Sequence, residues 1–364
     1  MKLLNKIFWM LNWLMALLLF VSYLSLYINP QTSDLPAFLG LLYPVLLAVN
    51  VFFVLWWLVF KQKFIILSLL VIGLGYAHLG RTWQLSGKEL PADASKKETA
   101  KVMSYNVQLF GLYNWEHNRD LRDSIITFLE TEQPDILCIQ EYFFGDNGNF
   151  ETTGILADKM QASNVHMGVA VEAIQQQKFG MASFLSYPIV NKGEMQFDSS
   201  NNMAIFTDFI WNEDTIRLYN IHLQSVHFDS DDYSQVDEIV ISDMDREKLS
   251  GYNSIRKKLS WAFKKRASQA KEIGNHIGNS PYPVIVCGDF NDSPISYAYH
   301  QIAKDLNDSF KDAGEGFAFS YKRTYLRMRI DHILFGDYFE AFEHNTSEIG
   351  FSDHFPVYCF LRKK

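Results

Sequence analysis

No charged residue interrupts the chain from Ile7 to Ile28, and none from Leu35 to Phe60. Coiled as helices rising about 1.5 Å per residue, both runs are long enough to cross a hydrocarbon core of roughly 30 Å. Such runs are either membrane spans or buried helices of a soluble protein, and their aromatic-rich, nearly uninterrupted character points to spans. A third run, Phe64 to Leu79, is shorter and carries Gly73, Gly75 and His78. It spans only with help from Trp83 at the interface. A cleaved signal peptide fits poorly, because no small-residue site follows Ile28 and a second apolar run comes at once. Crossings are therefore expected at about 7–28, 35–60 and 64–80, within a membrane region 1–85.

Loop charges give these runs a direction. Lys2 and Lys6 precede the first, residues 29–34 contain no Lys or Arg, and Lys61 and Lys63 separate the second from the third. The positive-inside bias puts the amino terminus and the second loop in the cytoplasm. Three crossings leave everything after Arg81 on the extracytoplasmic side of an inner or plasma membrane. If the third run does not cross, the remainder stays inside.

Residues 86–100 are polar, contain Pro91 and lack aromatic residues, which reads as a linker. The domain that follows, 101–364, is long enough for a substantial core and shows no repeat. Its three cysteines, Cys138, Cys287 and Cys359, each sit in an apolar strand-like run. Buried free thiols are expected, with neither a disulfide framework nor zinc-type spacing. Of 33 Lys and Arg and 41 Asp and Glu residues, eight and four fall in the first hundred positions, which leaves a net charge of −12 for the rest. Such a surface repels polyanions. The charge is uneven, since 229–245 is acidic whereas 256–271 is basic and has helical spacing, with Ile255, Leu259, Ala262, Phe263, Ala267 and Ala270 near one face. A solvated helix face is the plain reading of the basic run; contact with substrate or lipid headgroups is the other.

Chemistry concentrates at strand ends. Val284–Val286 is a β-branched run bounded by Pro281, Pro283, Gly288 and Pro294, and it leads into Asp289-Phe290-Asn291. With the backbone extended, Asp289 and Asn291 share one face and Phe290 takes the other. Taken alone the segment reads equally as a turn. Further strands are expected at 101–105 before Asn106, at 134–139 before Gln140 and Glu141, at 216–223 carrying His222, and at 328–335 carrying Asp331. In the segment 351–360, Ser352-Asp353-His354 precedes a closing strand. Each polar residue has a structural reading of its own: a solvated acid, a satisfied core histidine, an Asx turn. Eight of them at strand ends of one domain are harder to explain that way.

This ordered set resembles the endonuclease/exonuclease/phosphatase superfamily, the DNase I-like fold. The resemblance rests on SYNV at 104–107, PDILCIQE at 134–141, YNIHL at 219–223, GDFN at 288–291, RIDHIL at 329–334 and SDHFP at 352–356, with a looser match in FGMASFLSYPI at 179–189. It implies a four-layer α/β sandwich, two packed and mainly antiparallel sheets flanked by helices, here preceded by the membrane helices. It also implies hydrolysis of a phosphodiester by an activated water attacking in line, with Mg²⁺ or Mn²⁺. In that scheme Glu141 is the main metal carboxylate, with Asn106 beside it and Asp353 assisting; hard divalent ions take such oxygen ligands. His354 is oriented by Asp331, Asp289 activates or orients the water, and Asn291 and His222 donate to phosphate oxygens. Families of this fold are described with either the histidine or an aspartate as base, so those two roles can be exchanged.

One departure bears on substrate. Where several nuclease members carry a further acid two residues after the first asparagine, this chain has Gln108, and it shows no conspicuous Arg and aromatic cluster for DNA. Lipid-linked phosphate and nucleic acid remain the two substrate classes, the second as the work of a membrane-tethered nuclease. An inactive copy kept as a binding module would be expected to lack Glu141, Asp289 or His354, and all three are present. Nothing calls for an obligate protein partner. His332 points away from Asp331 on its strand and reads as structural, while His227 and His300 have no motif context.

Overall fold

The computed structural model describes residues 2–95, 97–112, 118–145, 152–172, 177–226, 246–323 and 326–364. Five helices form the amino-terminal bundle: α1 (Lys2–Tyr23), α2 (Leu35–Leu41), α3 (Tyr43–Phe60), α4 (Ile65–Leu74) and α5 (Tyr76–Thr82). Two segments, Leu3–Leu26 and Tyr43–Phe60, are long and apolar enough to cross a membrane. The expected single helix over 35–60 is broken at Leu42, whose ψ of 1° departs from helical geometry just before Pro44 in the first turn of α3. Proline has no N–H to continue the ladder and its ring crowds the preceding turn. The third run is bent by 63° between Gln62–Leu74 and Tyr76–Thr82, so it counts as one crossing only if both halves belong to a single span. Gly75 permits the bend, because a Cβ there would lie 2.2 Å from the Tyr23 hydroxyl oxygen. Inside the bundle Asn12 donates to Ser68 (2.7 Å) and accepts from the Trp57 indole (2.9 Å). Side-chain pairs of this kind hold apolar helices together where hydrophobicity alone gives no direction.

The remaining chain folds as two six-stranded mixed sheets. Its strands are β1 (Thr99–Asn106), β2 (Ile136–Gly145), β3 (Asn164–Glu172), β4 (Gln177–Leu185), β5 (Ile189–Gln196), β6 (Met203–Trp211), β7 (Asp214–His222), β8 (Val284–Asp289), β9 (Asn307–Asp308), β10 (Tyr321–Arg323), β11 (Leu326–Met328), β12 (Asp331–Phe335), β13 (Phe339–Thr346) and β14 (Val357–Lys363). One sheet has the order β13-β14-β1-β2-β4-β3 and the other β5-β6-β7-β8-β12-β9, with β10 and β11 forming a small separate ribbon. Each large sheet is antiparallel except for one internal pair, β1 with β2 and β7 with β8. The flanking helices are α6 (Asn118–Glu132), α7 (Thr152–Lys159), α8 (Arg246–Gly278), α9 (Tyr297–Ala303) and α10 (Ser309–Ala313).

Strand alternation builds the four layers. Val102, Ile136 and Cys138 of the first sheet meet Leu218, Ile285, Cys287 and Ile333 of the second in the central core. On the outer faces Met103, Leu137 and Ile139 pack on Ile125 and Leu129 of α6, while Tyr219, Val286 and Leu334 pack on Ala270 and Ile273 of α8 and Ile302 of α9. The three cysteines are buried and unbonded, as their apolar surroundings suggested. The expected apolar face of α8 is buried, except that Leu259 is half-buried. The acidic run 229–245 and His227 lie outside the described residues.

The bundle sits against the second sheet's side of this domain. Ser25 donates to the Ile295 carbonyl (2.7 Å), the Phe38 and Phe263 rings meet at 5.2 Å, and Ser260 donates to Asp34. Arg329 donates to the Arg81 carbonyl (2.9 Å), and the Tyr27 ring lies 5.2 Å from His300. Residues 84–90, mostly in the expected linker, run along the domain. Gln84 and Gly316 exchange backbone hydrogen bonds, Lys88 pairs with Glu340, and Leu90 N–H donates to Glu343 (3.1 Å). The last residues of the 86–100 segment, from Thr99, already belong to β1.

Burial fixes several histidines in the neutral form. His166, against Thr207 at 2.8 Å, is pushed down to about 4 by burial and then by Lys192. A folded-state pKa below the unfolded value of about 6.5 means that the unfolded chain takes up a proton the fold refuses. This contribution is complete above about pH 6.5 and is lost as pH falls toward 4. Measured by urea unfolding, a His166→Gln variant should therefore gain on the wild type by up to about 1.4 kcal/mol per pH unit below pH 6; a pH-independent difference would contradict this.

Candidate active site

The carboxyl ends of the two parallel pairs meet at one edge of the sandwich. Register pairs Asn106 with Gln140 in one sheet, and His222 with Asp289 in the other. The antiparallel neighbour β12 brings Asp331 opposite Asp289. A buried clasp joins the sheets underneath: the Gln140 amide donates to the Asn220 side-chain oxygen (2.7 Å), and Asn220 donates to the carbonyls of Ile139 (3.2 Å) and Ala182 (3.0 Å).

Above the clasp, four side chains converge on one oxygen. Oδ2 of Asp289 accepts from Asn106 Nδ2 (3.0 Å) and Asn291 Nδ2 (3.2 Å), with Nε2 of His222 and Nε2 of His354 each 3.7 Å away. Asn106 Nδ2 also reaches Glu141 Oε1 (3.3 Å), which lies 3.8 Å from His222 Nε2. His354 Nδ1 is held 2.9 Å from Asp331 Oδ2, whose backbone N–H donates to the Ser320 hydroxyl. The structure thus gathers Asn106, Glu141, His222, Asp289, Asn291, Asp331 and His354 into one cluster. Asp353 adjoins it, its backbone carbonyl accepting from Lys322 N–H and its charge felt by His354.

Two of these residues get there by unusual backbone. Asn291 has φ of 50°, so the chain turns after Phe290 instead of continuing extended. The shared face expected for Asp289 and Asn291 arises through that turn, in which Asn291 N–H donates to Asp289 Oδ1 (2.7 Å). The segment is therefore a turn, and that turn carries its polar tip into the cluster. Glu141 has φ of 48° at a bulge where β2 slips against β4 between Ile139 and Tyr142. Bulges re-aim side chains, and this one leaves the Glu141 carboxylate about one-third exposed while its neighbours are buried.

Electrostatics separate the roles. Asp289 is raised to about 6 by burial and by the Asp331 carboxylate, against the lowering pull of His354 and His222. Burial opposes charging His354, yet the Asp331 and Asp289 carboxylates outweigh it and lift the imidazole to about 10. Asp289, Asp331 and His354 lie close enough to hold a metal ion. The Asp331–His354 hydrogen bond places the same three for proton handling and charge stabilisation. The Glu141 carboxylate at the open side, with the buried Asn106 oxygen beside it, offers the oxygen donors that suit a hard divalent ion.

Sequence reasoning missed several supporting residues. Asn220 lies two positions before His222 and so shares its face, which the period of a strand could have revealed. The clasp partner Gln140 directly precedes Glu141. Ser352, inside the SDHFP motif but given no role, donates to the Asn106 carbonyl (2.9 Å), while Ser320 and Tyr321, whose ring lies 5.0 Å from His354, carry no local signal. Neither does the buried Arg266–Asp292 pair (3.0 Å) that holds the loop after Asn291. His332 turns outward against Phe290 and Tyr299, away from the cluster.

The profile of the Endonuclease/Exonuclease/phosphatase family matches residues 103–354, well over half of the chain. The chain belongs to this family. The profile of a domain of unknown function matches residues 5–82. No curated protein sequence matches. Among solved structures, a humanized TDP2 of D. rerio aligns with a TM-score of 0.52 at 13% identity, covering 73% of this chain and 100% of that one. An endonuclease/exonuclease/phosphatase from Beutenbergia cavernae aligns at 0.51 and 14%, covering 73% and 72%. The catalytic domain of human Nocturnin with bound sulfate aligns at 0.50 and 17%, covering 74% and 97%. At these identities the likeness is one of fold, the two-sheet sandwich that the resemblance implied.

Removing the clasp should be costly wherever it leaves buried groups unmade. Asn220→Leu leaves the Gln140 amide only its Ser104 partner (3.2 Å) and takes a donor from the Ile139 and Ala182 carbonyls, at roughly 1–3 kcal/mol for each group left unsatisfied. Chemical unfolding should show a loss of at least that order, and an Asn220→Leu protein as stable as the wild type would refute the clasp's role.

Proposed function

We propose that this protein is a membrane-anchored, divalent-metal-dependent phosphodiesterase. The observation that carries the reading is the convergence of Asn106, Asn291, His222 and His354 on one carboxylate oxygen of Asp289, with Glu141 alongside. Glu141 and Asn106, with Asp353 nearby, are the residues that would hold Mg²⁺ or Mn²⁺. When bound, such an ion offsets negative charge growing on the phosphate oxygens.

The remaining steps belong to the chain's own side chains. Asp289, fixed by two amides, is suited to orient the attacking water and take its proton as oxygen bonds to phosphorus in line with the departing ester oxygen. His354, anchored through Nδ1 to Asp331, presents Nε2 toward the same point. As an imidazolium it would stabilise the charge that develops on phosphate. His222 stands where a ring N–H can hold a non-bridging oxygen; Asn291, assigned the same role by its motif, donates to Asp289 (3.2 Å) and to the Leu223 carbonyl (3.0 Å) and would have to release one of them to reach phosphate. Burial of Asp289 and His354 keeps water from screening these interactions.

Membrane anchoring draws support from charge placement. α1 begins at Lys2 and ends near Ser25, which touches the catalytic domain, while Trp9 of α1 stacks on Phe64 at 4.3 Å beside Lys61 and Lys63. All four lysines therefore lie at the end remote from the domain. With three crossings this is the positive-inside arrangement, and the domain 101–364 stands outside the cytoplasm. Because Ile295, close behind Asn291, touches the bundle, a phosphodiester presented at the bilayer surface is the favoured substrate class. The solved TDP2 of D. rerio in complex with a single-stranded DNA product keeps a nuclease reading as the second choice.

Detergent-solubilised full-length protein should hydrolyse bis-(4-nitrophenyl) phosphate with Mg²⁺ or Mn²⁺. Glu141→Gln and Asp289→Asn should each lower kcat by about 10²–10⁴, and EDTA should abolish turnover. Activity that survives both EDTA and Glu141→Gln would sink the mechanism. Comparing phospholipid vesicles with plasmid as substrates decides between the two classes. A periplasm-active reporter fused after Lys364 is expected, and a reporter active only in the cytoplasm would overturn the outside placement.

A further inference from the structure

α8 concentrates positive charge in a chain whose net charge is −8. From Lys248 to Lys271 it contains no acidic residue. Part of this charge has internal work: Arg266 is buried on Asp292, and Lys265 donates to the Asp198 carbonyl (3.1 Å). The rest is arranged on one side. Lys257, Trp261, Lys264, Ser268 and Lys271 recur at helical spacing and are all exposed, with Arg256 beside them. Trp261 is 44% exposed in the middle of this lysine stripe. Apolar rings flanked by Lys and Arg are the side-chain pattern of a helix lying in a membrane interface.

Contacts with the bundle fix where the stripe lies. Ser260, next to Trp261, donates to Asp34, and Phe263 packs on Phe38 of α2. α3 starts at Tyr43 and its 18 residues extend about 27 Å, close to the full thickness of the hydrocarbon core. Tyr43 therefore stands at the core boundary, and Asp34 and Phe38, which precede it, lie in the first layer beyond. Trp261 shares that depth.

We infer that the stripe of Arg256, Lys257, Trp261 and Lys264 is a docking surface for the anionic headgroup layer of the bilayer that holds α1 and α3. This rests on the reading of those helices as membrane-spanning, and it is independent of the catalytic assignment. Lysine ammonium groups meet lipid phosphates while the indole sits at the boundary between headgroups and acyl chains. The surface continues the contact already made by Asp34 and Phe38. It thereby adds a lipid contact to the protein contacts that already seat the domain on its bundle.

Full-length protein carrying Trp261→Cys, labelled with an environment-sensitive maleimide, provides the test, since the three native cysteines are buried. It is placed in nanodiscs of phosphatidylcholine alone or mixed with phosphatidylglycerol, each containing headgroup-spin-labelled lipid. The label should emit further to the blue and be quenched more strongly in the anionic discs. Adding Lys257→Glu and Lys264→Glu should reverse this by roughly fivefold per charge in local anionic-lipid occupancy, as should molar salt. A label at exposed Glu213, at the opposite end of β7 from His222, should respond to neither change. Equal quenching in both compositions overturns the proposal. Insensitivity to the charge reversals also overturns it. If the Glu variants melt lower than the parent, Lys257→Gln and Lys264→Gln give the same reading with half the charge change. Failure of the anchoring reading is separately visible, as protein that alkaline carbonate strips from its membranes.

Discussion

The hydrogen bond from Gln140 to Asn220 is the contact on which the site geometry depends. Two sheets pressed together by apolar side chains alone have no strong preference for one relative position, because hydrophobic contact is non-directional. A buried amide pair does have one. Once Gln140 and Asn220 are paired, Glu141 and His222 must emerge side by side at the same edge. Register within each sheet then delivers Asn106, Asp289 and Asp331 to them. Leaving the pair half-made costs more than making it contributes, so the clasp acts mainly by excluding displaced arrangements.

Around that fixed point the chain accepts local strain. Glu141 and Asn291 both occupy left-handed backbone that non-glycine residues seldom adopt. The first turns a carboxylate toward the opening, and the second folds an amide back over Asp289. The electrostatic arrangement is similarly one-sided. Burial would neutralise Asp289 and His354 separately, and it is their proximity that keeps opposite charges in so dry a place, with Asp331 favouring the imidazolium.

Much of the catalytic domain was legible in the sequence because its signals are local. The run Val284–Val286 ending in Asp289-Phe290-Asn291 identifies a strand and its tip, and six such tips in order identify a family. The Asp331–His354 pair followed from that resemblance, and the outward face of His332 from strand alternation. What escaped depends on contacts between distant segments. Asn220 looks like any polar residue in a strand until Gln140 of the other sheet is beside it. The left-handed turn at Asn291 replaced an extended tip because the backbone could then cap the Asp289 carboxylate. In the bundle, Pro44 carried a readable signal for the break at Leu42, but the absence of charge across 35–60 masked it. The bend at Gly75 depends on Tyr23, far away in sequence.

The segment from Gln84 to Thr99 has a further consequence, because it determines how strong the seat between bundle and catalytic domain must be. Chain ends joined by so short a tether meet at an effective concentration on the order of millimolar. A contact surface that would scarcely associate between separate molecules is then occupied most of the time. A few hydrogen bonds and ring contacts, such as Ser25 to Ile295 and Phe38 to Phe263, therefore suffice. Evolution could place the domain on its bundle with little apolar surface, sparing the newly made chain a sticky patch before the two halves meet.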